Sequence, residues 1–351
     1  MSIHAVVLGG AGYVGGELLR LIDAHPVFRL AAAASSTFAE KPVADVFPHL
    51  GHSCAGMSFV PPGDWSREIP AGSDVALFSA APHGASAGAI AEALRAAKNA
   101  NLNVHVVDAS ADFRFDNAAA FTSVYGIEHP APQLLDDFTS GVPEHVESSN
   151  TLHACQPGCF ATAALLAAVP LVDSGVTAGD LFLSGVTGST GSGRSVKPGT
   201  HHPERHSNMY AYKPLSHRHA PEIEHLLHRS CGGDAHVHFV PHSGPFARGI
   251  HMTLQARLES AVSADELREV FAEFYADSPF VRVVDTTPRL KDVVASNFSH
   301  LGVAVDDRAV TVMCVIDNLV KGAAGGAMQW MNRLWSLPED SGLLAAAPSW
   351  T

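Results

Sequence analysis

Apolar runs and helical spacings alternate along the first third of the chain. Short buried-type runs and the helical stretches after them occupy residues 3–8, 13–24, 29–34, 74–80, 85–100 and 104–109. Strands that alternate with helices are typical of a parallel, doubly wound sheet. The pattern therefore predicts an α/β domain in this part of the chain.

The order of elements changes after about residue 160. Helical stretches occur at 160–168 and 264–275, and strand-like runs at 181–185, 236–240, 251–258 and 309–315. This mixed order predicts an α+β domain with a mostly antiparallel sheet. The last helical stretch, 318–334, is expected to pack back on the first domain. We therefore predict three segments, 1–158, 159–316 and 317–351.

Composition narrows the classes of partner. The chain has 351 residues, 16% of them charged, and a formal net charge of −13. An acidic chain without a Lys/Arg run is poorly suited to nucleic acid or an anionic membrane, so we expect a small-molecule substrate. No window reaches the roughly 18 apolar residues of a membrane span. Five scattered cysteines indicate reduced thiols and a cytoplasmic location. The 21 histidines match no zinc signature, so no metal is predicted.

A glycine-rich turn follows the first predicted strand. Gly9, Gly12 and Gly15 stand three residues apart, between this strand and the first helical stretch. Glycines here allow a pyrophosphate to approach the backbone, and the helix N-terminus supplies amide donors. The context predicts a Rossmann-type dinucleotide-binding domain. The second strand ends in Ser35 and Ser36 without an acidic residue, which favours NADP over NAD because hydroxyls can donate to a 2′-phosphate.

Two cysteines lie four positions apart in HACQPGCFAT, residues 153–162. Cys159 follows Pro-Gly and opens an apolar helical stretch, so the helix dipole would favour its thiolate. The sequence leaves two interpretations of Cys159 open, a nucleophile or a small buried side chain. Cys155 precedes the turn, and its spacing from Cys159 is not that of a zinc or thioredoxin pair. Cys155 is therefore interpreted as a buried bystander.

Histidines and arginines supply the other candidate groups. His219 would stand at the start of a helix opened by Ala-Pro-Glu, where it could act as a general acid/base, and His217 is the second choice. A helix-capping or surface role for His219 remains open. Arg114, Arg194 and Arg248 are candidates for binding carboxylate or phosphate.

These stretches together resemble the N-acetyl-γ-glutamyl-phosphate reductase family, which is related to aspartate-semialdehyde dehydrogenase. The resemblance covers nearly the whole chain and includes GGAGYVGGELLRLI, APHG, DASADFR, YGIEH, GVPE, PGCFAT, GSTGSGR, HRHAPEIE, PFARGIH and DNLVKGAAGGAMQWMN. It implies an NADP-dependent enzyme of arginine biosynthesis that forms a homo-oligomer, a dimer or tetramer. In the implied reaction, Cys159 forms a thioester with the γ-acyl group, phosphate leaves, and hydride reduces the thioester to the semialdehyde.

The resemblance also implies site residues. The catalytic set is Cys159, His219, His217 and Gln156. The substrate-binding set is Arg114, Arg194, Arg248 and Glu222. The cofactor-binding set is Gly9, Gly12, Tyr13, Val14, Gly15, Ser35, Ser36, Pro82, Ser110, Gly188, Ser189, Asn318, Lys321 and Gly322.

Some positions depart from the family's pattern. Gln156 stands where the family usually has Asn, and Gly326 where it has Gln in KGAAGQA. Three alternatives stay open: a reductase of carrier-bound aminoadipyl phosphate, a non-catalytic NADP-binding regulator of the same fold, and a cofactor-free Cys/His hydrolase. Repulsion between an acidic carrier and the net charge of −13 counts against the first alternative.

Overall fold

The computed structural model describes residues 2–147, 151–177 and 179–349. These residues form two compact units. Of the described residues, the first unit contains 2–140, 151–156 and 323–344, and the second contains 141–147, 157–322 and 345–349. Residues 1, 148–150, 178, 350 and 351 of the predicted segments lie outside the described residues.

The first unit is built on a parallel six-stranded sheet in the order β2-β1-β3-β4-β6-β5. Its strands are β1 (Ile3–Leu8), β2 (Phe28–Ala34), β3 (Asp74–Ser79), β4 (Asn103–Asp108), β5 (Phe138–Ser140) and β6 (His153–Cys155). Its helices before the second unit are α1 (Tyr13–Asp23), α2 (Val43–Val46), α3 (Ser86–Asn99) and α4 (Ala118–Tyr125). Parallel strands end at one edge of their sheet, and ligands of such folds bind at this carboxyl edge.

The second unit contains a mixed seven-stranded sheet in the order β11-β12-β13-β10-β7-β9-β8. Its strands are β7 (Gly179–Thr187), β8 (Tyr210–Ala211), β9 (Ala235–Ser243), β10 (Ile250–Arg257), β11 (Val281–Val283), β12 (Ser299–Val305) and β13 (Ala309–Ile316). Its helices are α5 (Cys159–Asp173), α6 (His202–Arg205), α7 (His219–Cys231) and α8 (Ala264–Phe274). The β7–β9 and β11–β12 pairs are parallel and the other pairs antiparallel, so the predicted mostly antiparallel sheet is present.

Helix α5 is buried along most of its length and forms the centre of the second unit's core. The sequence pattern ended this helix at residue 168, but the helix continues through Pro170 to Asp173. Proline lacks the N–H that would bond the carbonyl four residues earlier, here that of Leu166. The hydroxyl of Tyr275 donates to this carbonyl at 2.8 Å. Tyr275 therefore satisfies the acceptor that the proline leaves open.

Helix α9 (Gly325–Leu334) follows a π-helical turn, Val320–Ala324. It packs with β4, β6 and α1 in the first unit. The returning segment of the first unit comprises residues 323–344, and residues 141–147 belong to the second unit. The predicted boundaries after residues 158 and 316 stay predictions. Among the described residues, no helix has both the length and the apolar character needed to cross a membrane.

Candidate active site

The glycine turn lies at the carboxyl end of β1. Gly9 has a φ of +68°, and a Cβ atom there would lie 2.7 Å from the backbone of Ala80 and Ala81. A Cβ on Gly15 would lie 2.5 Å from the carbonyl oxygen of Gly10. At Gly12, the N-cap of α1, a Cβ would meet only the carbonyl of Gly9, at 3.8 Å. Two glycines thus permit close packing, whereas the third leaves the helix N-terminus open to a ligand.

A cavity of about 220 Å³ adjoins this turn. Gly9, Ser35, Ser36 and Pro82 line it together with Trp65, a residue that the sequence analysis did not select. The hydroxyl oxygen of Ser35 accepts the amide of Phe38 at 3.1 Å, whereas Ser36 is exposed. An aromatic and small-residue wall beside two hydroxyls suits an adenosine group. The residues present therefore fit a dinucleotide, with its adenosine in this cavity. Trp65 lies in an irregular segment, where no periodicity could reveal its position.

Ser110 is a buried residue just after β4, at the carboxyl edge of the first sheet. It is 2% exposed, and its hydroxyl donates to Asp108 at 2.7 Å. Ser86 donates to the same carboxylate at 2.7 Å, and burial raises the pKa of Asp108 to about 6. Asp112 accepts the amides of Gly84 and Ala87 at the start of α3. The predicted cofactor residue Ser110 therefore orders the loop rather than presenting its hydroxyl to solvent.

Arg114, for which a substrate contact stays a prediction, binds backbone oxygens of the first unit. The side chain is buried, at 3% exposure, and its guanidinium donates to the backbone oxygens of Gln156 and Ala109 at 3.3 and 3.4 Å. The amide of Gln156 donates in turn to the carbonyl of Asp108 at 2.8 Å. Arg114 thus fixes the chain just before the Pro-Gly-Cys turn.

Cys159 is the first residue of α5 and is partly exposed. Its position at the helix N-terminus favours the thiolate, because the positive end of the helix dipole is closest there. Cys155 ends β6 with no exposed surface, and all five cysteines lie outside disulfides. The structure thus places the two cysteines in different environments.

Two contacts fix the start of α5. The carboxylate of Glu222, which is fully buried, accepts the amide of Gly158 at 2.7 Å. This oxygen anchors the residue before Cys159, and the expected role of Glu222 in binding substrate stays a prediction. The second contact is that of Gly322 with Cys159. A Cβ on Gly322 would lie 2.7 Å from the Cβ of Cys159. Gly322 therefore borders the cysteine within the second unit, where only hydrogen can be accommodated.

The two candidate histidines lie together beside Phe160. Their rings are 4.6 Å apart, and each is about 6 Å from the ring of Phe160. The Nδ1 atom of His217 accepts the amide of His219 at 3.2 Å, so its proton lies on Nε2 in the neutral form. Burial, with nearby Arg218 and Lys213, lowers the pKa of His217 to about 4. His217 is consequently neutral near pH 7. His219 is the first residue of α7, and its side chain is buried, at 6% exposure.

Tyr212 is a site residue that sequence reasoning missed. Its pKa is raised well above the ordinary value by burial and then by the charge of Cys159. Its ring lies 5.6 Å from that of His217. Tyr212 therefore keeps its proton near Cys159 and can donate a hydrogen bond. No short motif identifies it, because it stands in the irregular segment before the histidines.

The loops around Gly188 are held by Asn318 and Asp317. Asn318 accepts the amide of Gly249 at 2.7 Å and donates to Thr190 at 3.0 Å. Arg248 forms a bidentate pair with buried Asp317, at 3.0 Å for both bonds. Asn318 and Arg248 thus hold these loops in place, and their expected contacts with cofactor and substrate stay predictions.

The remaining predicted residues fall into different surroundings. The ammonium of Lys321 donates to Glu144 at 2.5 Å, and both side chains are buried. Lys321 therefore forms an internal ion pair, and its expected cofactor contact stays a prediction. Arg194 is exposed, and Ser189 is partly buried beside Gly188. Tyr13 and Val14 open α1, with Tyr13 36% exposed. Among the described residues, no group of three or more His, Cys, Asp or Glu side chains is arranged to hold a metal.

Comparison with known protein families assigns both halves of the chain. Residues 4–150 match a family model described as the NAD binding domain of semialdehyde dehydrogenase, and residues 159–318 match its dimerisation domain. A solved structure, aspartate semialdehyde dehydrogenase with NADP from Candida albicans, has a TM-score of 0.67 at 17% identity and covers 96% of this chain and 99% of its own. This similarity shows the semialdehyde dehydrogenase fold.

Full-length relatives give a narrower assignment. An N-acetyl-gamma-glutamyl-phosphate reductase from Methanopyrus kandleri is 40% identical over 343 residues, which cover 96% of each chain. A [LysW]-L-2-aminoadipate/[LysW]-L-glutamate phosphate reductase from Saccharolobus solfataricus is 36% identical, with 97% of each chain covered. Other relatives named as N-acetyl-gamma-glutamyl-phosphate reductases are 36–38% identical over nearly the full chain. The chain therefore belongs to the N-acetyl-gamma-glutamyl-phosphate reductase family of the semialdehyde dehydrogenases.

Proposed function

We propose that this protein reduces N-acetyl-γ-glutamyl phosphate to N-acetyl-glutamate 5-semialdehyde with NADPH, in arginine biosynthesis. The observation that carries the proposal is the position of Cys159. It opens α5 with a partly exposed thiol, next to a glycine whose amide Glu222 holds. The full-length similarity to reductases of this name supports the choice of substrate.

The first step is acyl transfer to the enzyme. The thiolate of Cys159 attacks the acyl carbon, the bond from this carbon to the phosphate oxygen breaks, and inorganic phosphate leaves. The product is a thioester, which accepts hydride more readily than a carboxylate does. The arginine we propose for the substrate's anionic groups is Arg194, because its side chain is exposed to solvent.

The second step is reduction of the thioester. NADPH, held by the glycine turn, Ser35, Ser36 and Trp65, supplies hydride chemistry when bound. His219 then donates a proton to the oxygen that becomes negative in the thiohemiacetal. Neutral His217, which accepts the amide of His219, and the hydroxyl of Tyr212, whose ring lies beside that of His217, orient His219 in this proposal rather than donate the proton. The hydroxyl proton of the thiohemiacetal then returns to His219 as the carbon–sulfur bond breaks, which releases the aldehyde and restores the Cys159 thiolate.

The reverse reaction tests the substrate assignment. Phosphate-dependent reduction of NADP is measured with N-acetyl-glutamate semialdehyde, beside the unacetylated semialdehyde and the aminoadipate analogue. The proposal expects the highest kcat/KM with the acetylated compound and a clear preference for NADP over NAD. The second candidate function is reduction of carrier-bound aminoadipyl phosphate, which is suggested by the name of the Saccharolobus relative. Activity with the aminoadipate analogue alone would support this second candidate.

We further propose a homodimer formed through the open face of the second sheet. Alternate residues of β7, β9 and β10 point away from α5, and Phe182 on this face is 54% exposed. A cavity there is lined by Phe182, His238 and Thr253, and the matching family model is described as a dimerisation domain. The variant F182E is expected to shift the mass measured by light scattering from dimer to monomer. An unchanged dimer would place the interface elsewhere.

A cytoplasmic location remains part of the proposal and rests on the cysteines. All five are thiols outside disulfides, as expected in a reducing compartment. Fractionation of cells that produce the protein from its own gene tests this location. Recovery of the activity outside the cytoplasmic fraction would contradict it.

A further inference from the structure

Gln156 and Gly326 are in direct contact within the first unit. Gln156 has no exposed surface. A Cβ atom on Gly326 would lie 2.5 to 2.6 Å from the Cδ, Oε1 and Nε2 atoms of Gln156. The carboxamide of Gln156 therefore lies directly on the bare Cα of Gly326, in the first turn of α9.

Glycine at position 326 makes helix α9 less stable than alanine would. Glycine inside a helix is less favourable than alanine by about 1 kcal/mol. By contrast, Gly88 in α3 has room, since its added Cβ would meet only Pro130, at 3.8 Å. The close contact at Gly326 thus gives a physical reason for glycine there, which is the space needed by the carboxamide.

The backbone of Gln156 is fixed as tightly as its side chain. Its amide donates to Asp108, and its carbonyl accepts from Arg114. The chain then continues through Pro157 and Gly158 to Cys159. Gln156 is thus the fixed end of the turn that carries the nucleophile.

We propose that Gln156 is a positioning residue for Cys159 and that Gly326 is glycine in order to seat the Gln156 carboxamide. The two departures from the family's pattern are accordingly one exchange, in which a longer side chain at 156 occupies the space of a side chain lost at 326. Gln156 acts through the Pro-Gly-Cys turn and not by contact with the reacting atoms. This inference rests on the proposed role of Cys159 as nucleophile.

Two variants separate this role from general stability. G326A adds one carbon that displaces the carboxamide while leaving Gln156 itself unchanged, and Q156N shortens the side chain by one carbon. We measure kcat, KM, melting temperature and the pH dependence of Cys159 alkylation by iodoacetamide, with the labelled peptide identified by mass. G88A is the matched control for glycine-to-alanine replacement in a helix.

G326A is expected to lower kcat about tenfold to hundredfold, as small misplacements of catalytic groups do, and to change the alkylation profile. KM should change much less, and the melting temperature should not fall in proportion. Q156N/G326A should have the kcat and alkylation profile of Q156N alone, because the shorter side chain no longer meets the new Cβ. G88A should match the wild type in kcat.

The inference is overturned if G326A leaves kcat and alkylation unchanged, or if its effect is the same in the Q156N background as in the wild type. A fall in kcat explained wholly by loss of folded protein would also overturn it. Failure of the proposed function gives a different result, since the wild type would then lack turnover with every semialdehyde tested. The alkylation profiles of the five proteins remain comparable in that case.

Discussion

His217 and His219 occupy neighbouring positions but have different proton chemistry. His217 accepts a backbone amide through Nδ1, and its pKa is lowered to about 4. A neutral imidazole is a poor proton donor near pH 7, so this side chain does not supply the imidazolium that the reduction step needs. The low pKa of His217 therefore supports the proposal that His219 is the acid.

The two histidines are tested by matched asparagine variants. H219N is expected to lower the rate of hydride transfer by about 10²- to 10⁴-fold, the usual contribution of a general acid. H217N should lower it less, since Asn still offers an oxygen to the amide of His219. Stopped-flow measurement of NADPH oxidation compares them. If H217N alone abolishes hydride transfer, the roles assigned to the two histidines are reversed.

Residue types revealed only part of the site. The sequence marked Cys159 because Pro-Gly precedes it and an apolar helix follows. It could not show that Arg114, Arg248 and Lys321 bind groups of the protein itself. A charged residue in a motif has the same sequence signal whether its partner is a ligand or a protein oxygen. Sequence reasoning also missed Tyr212, which only the fold brings near Cys159.

At the scale of elements, a hydrogen bond joins the N-termini of α5 and α7. Glu222 in the first turn of α7 accepts the amide of Gly158, the N-cap of α5. This bond ties the helix that carries Cys159 to the helix that begins at His219. Its loss should disturb the nucleophile and the acid together.

The variants E222A and E222Q test this connection. E222A leaves a buried N–H without this acceptor, so it should cost about 1–3 kcal/mol of stability and lower kcat. E222Q keeps an oxygen in place and should come much closer to the wild type in both. Chemical denaturation and steady-state kinetics give the two quantities. If E222Q instead raises the substrate KM as strongly as E222A, with stability unchanged, the carboxylate binds substrate, as the sequence implied.

Buried runs predicted the strands β1, β3 and β4 well, because parallel strands covered on both faces are continuously apolar. The short strands β5 and β6 were missed, since three residues carry no periodicity. The end of α5 was misplaced for another reason. Proline normally ends a helix. Here the hydroxyl of Tyr275 supplies the hydrogen bond that Pro170 cannot give to the carbonyl of Leu166.

At the scale of the whole molecule, buried histidines make stability depend on pH. Burial lowers the pKa of His145, His153 and His217 to about 4 each. Between pH 4 and 6.5 the unfolded chain binds protons at these sites that the folded chain does not. The free energy of unfolding therefore rises with pH in this window and is lost as pH falls from about 6.5 toward 4.

Removal of His145 should flatten this dependence. His145 is bonded to Tyr275 at 2.9 Å, so H145Q is expected to lower stability at pH 7 through this contact. Its further loss of stability between pH 6.5 and 5 should be smaller, because proton uptake on unfolding falls by close to one at pH 5. Urea unfolding at several pH values measures the slope, with H236Q at an exposed position as control. A slope equal to that of the wild type would contradict the burial of a neutral imidazole at 145.

The two units consist of segments that are distant in the chain. The alternation of strands and helices located the first sheet, and the change of pattern located the second. Residues 141–147 belong to the second unit, and the returning segment of the first unit begins at residue 323. Both assignments depend on long-range contacts, such as that of Lys321 with Glu144. Such contacts leave no local pattern in the chain.

The most direct test of the central claim measures phosphate released from N-acetyl-γ-glutamyl phosphate in a single turnover without NADPH. The wild type is expected to release one phosphate per active site in a rapid burst and to gain the mass of the N-acetyl-glutamyl group on the peptide that contains Cys159. C159S should show neither the burst nor the adduct on this peptide. A burst of equal size from C159S, or an acyl group found on another residue, would contradict the assignment of Cys159 as the nucleophile.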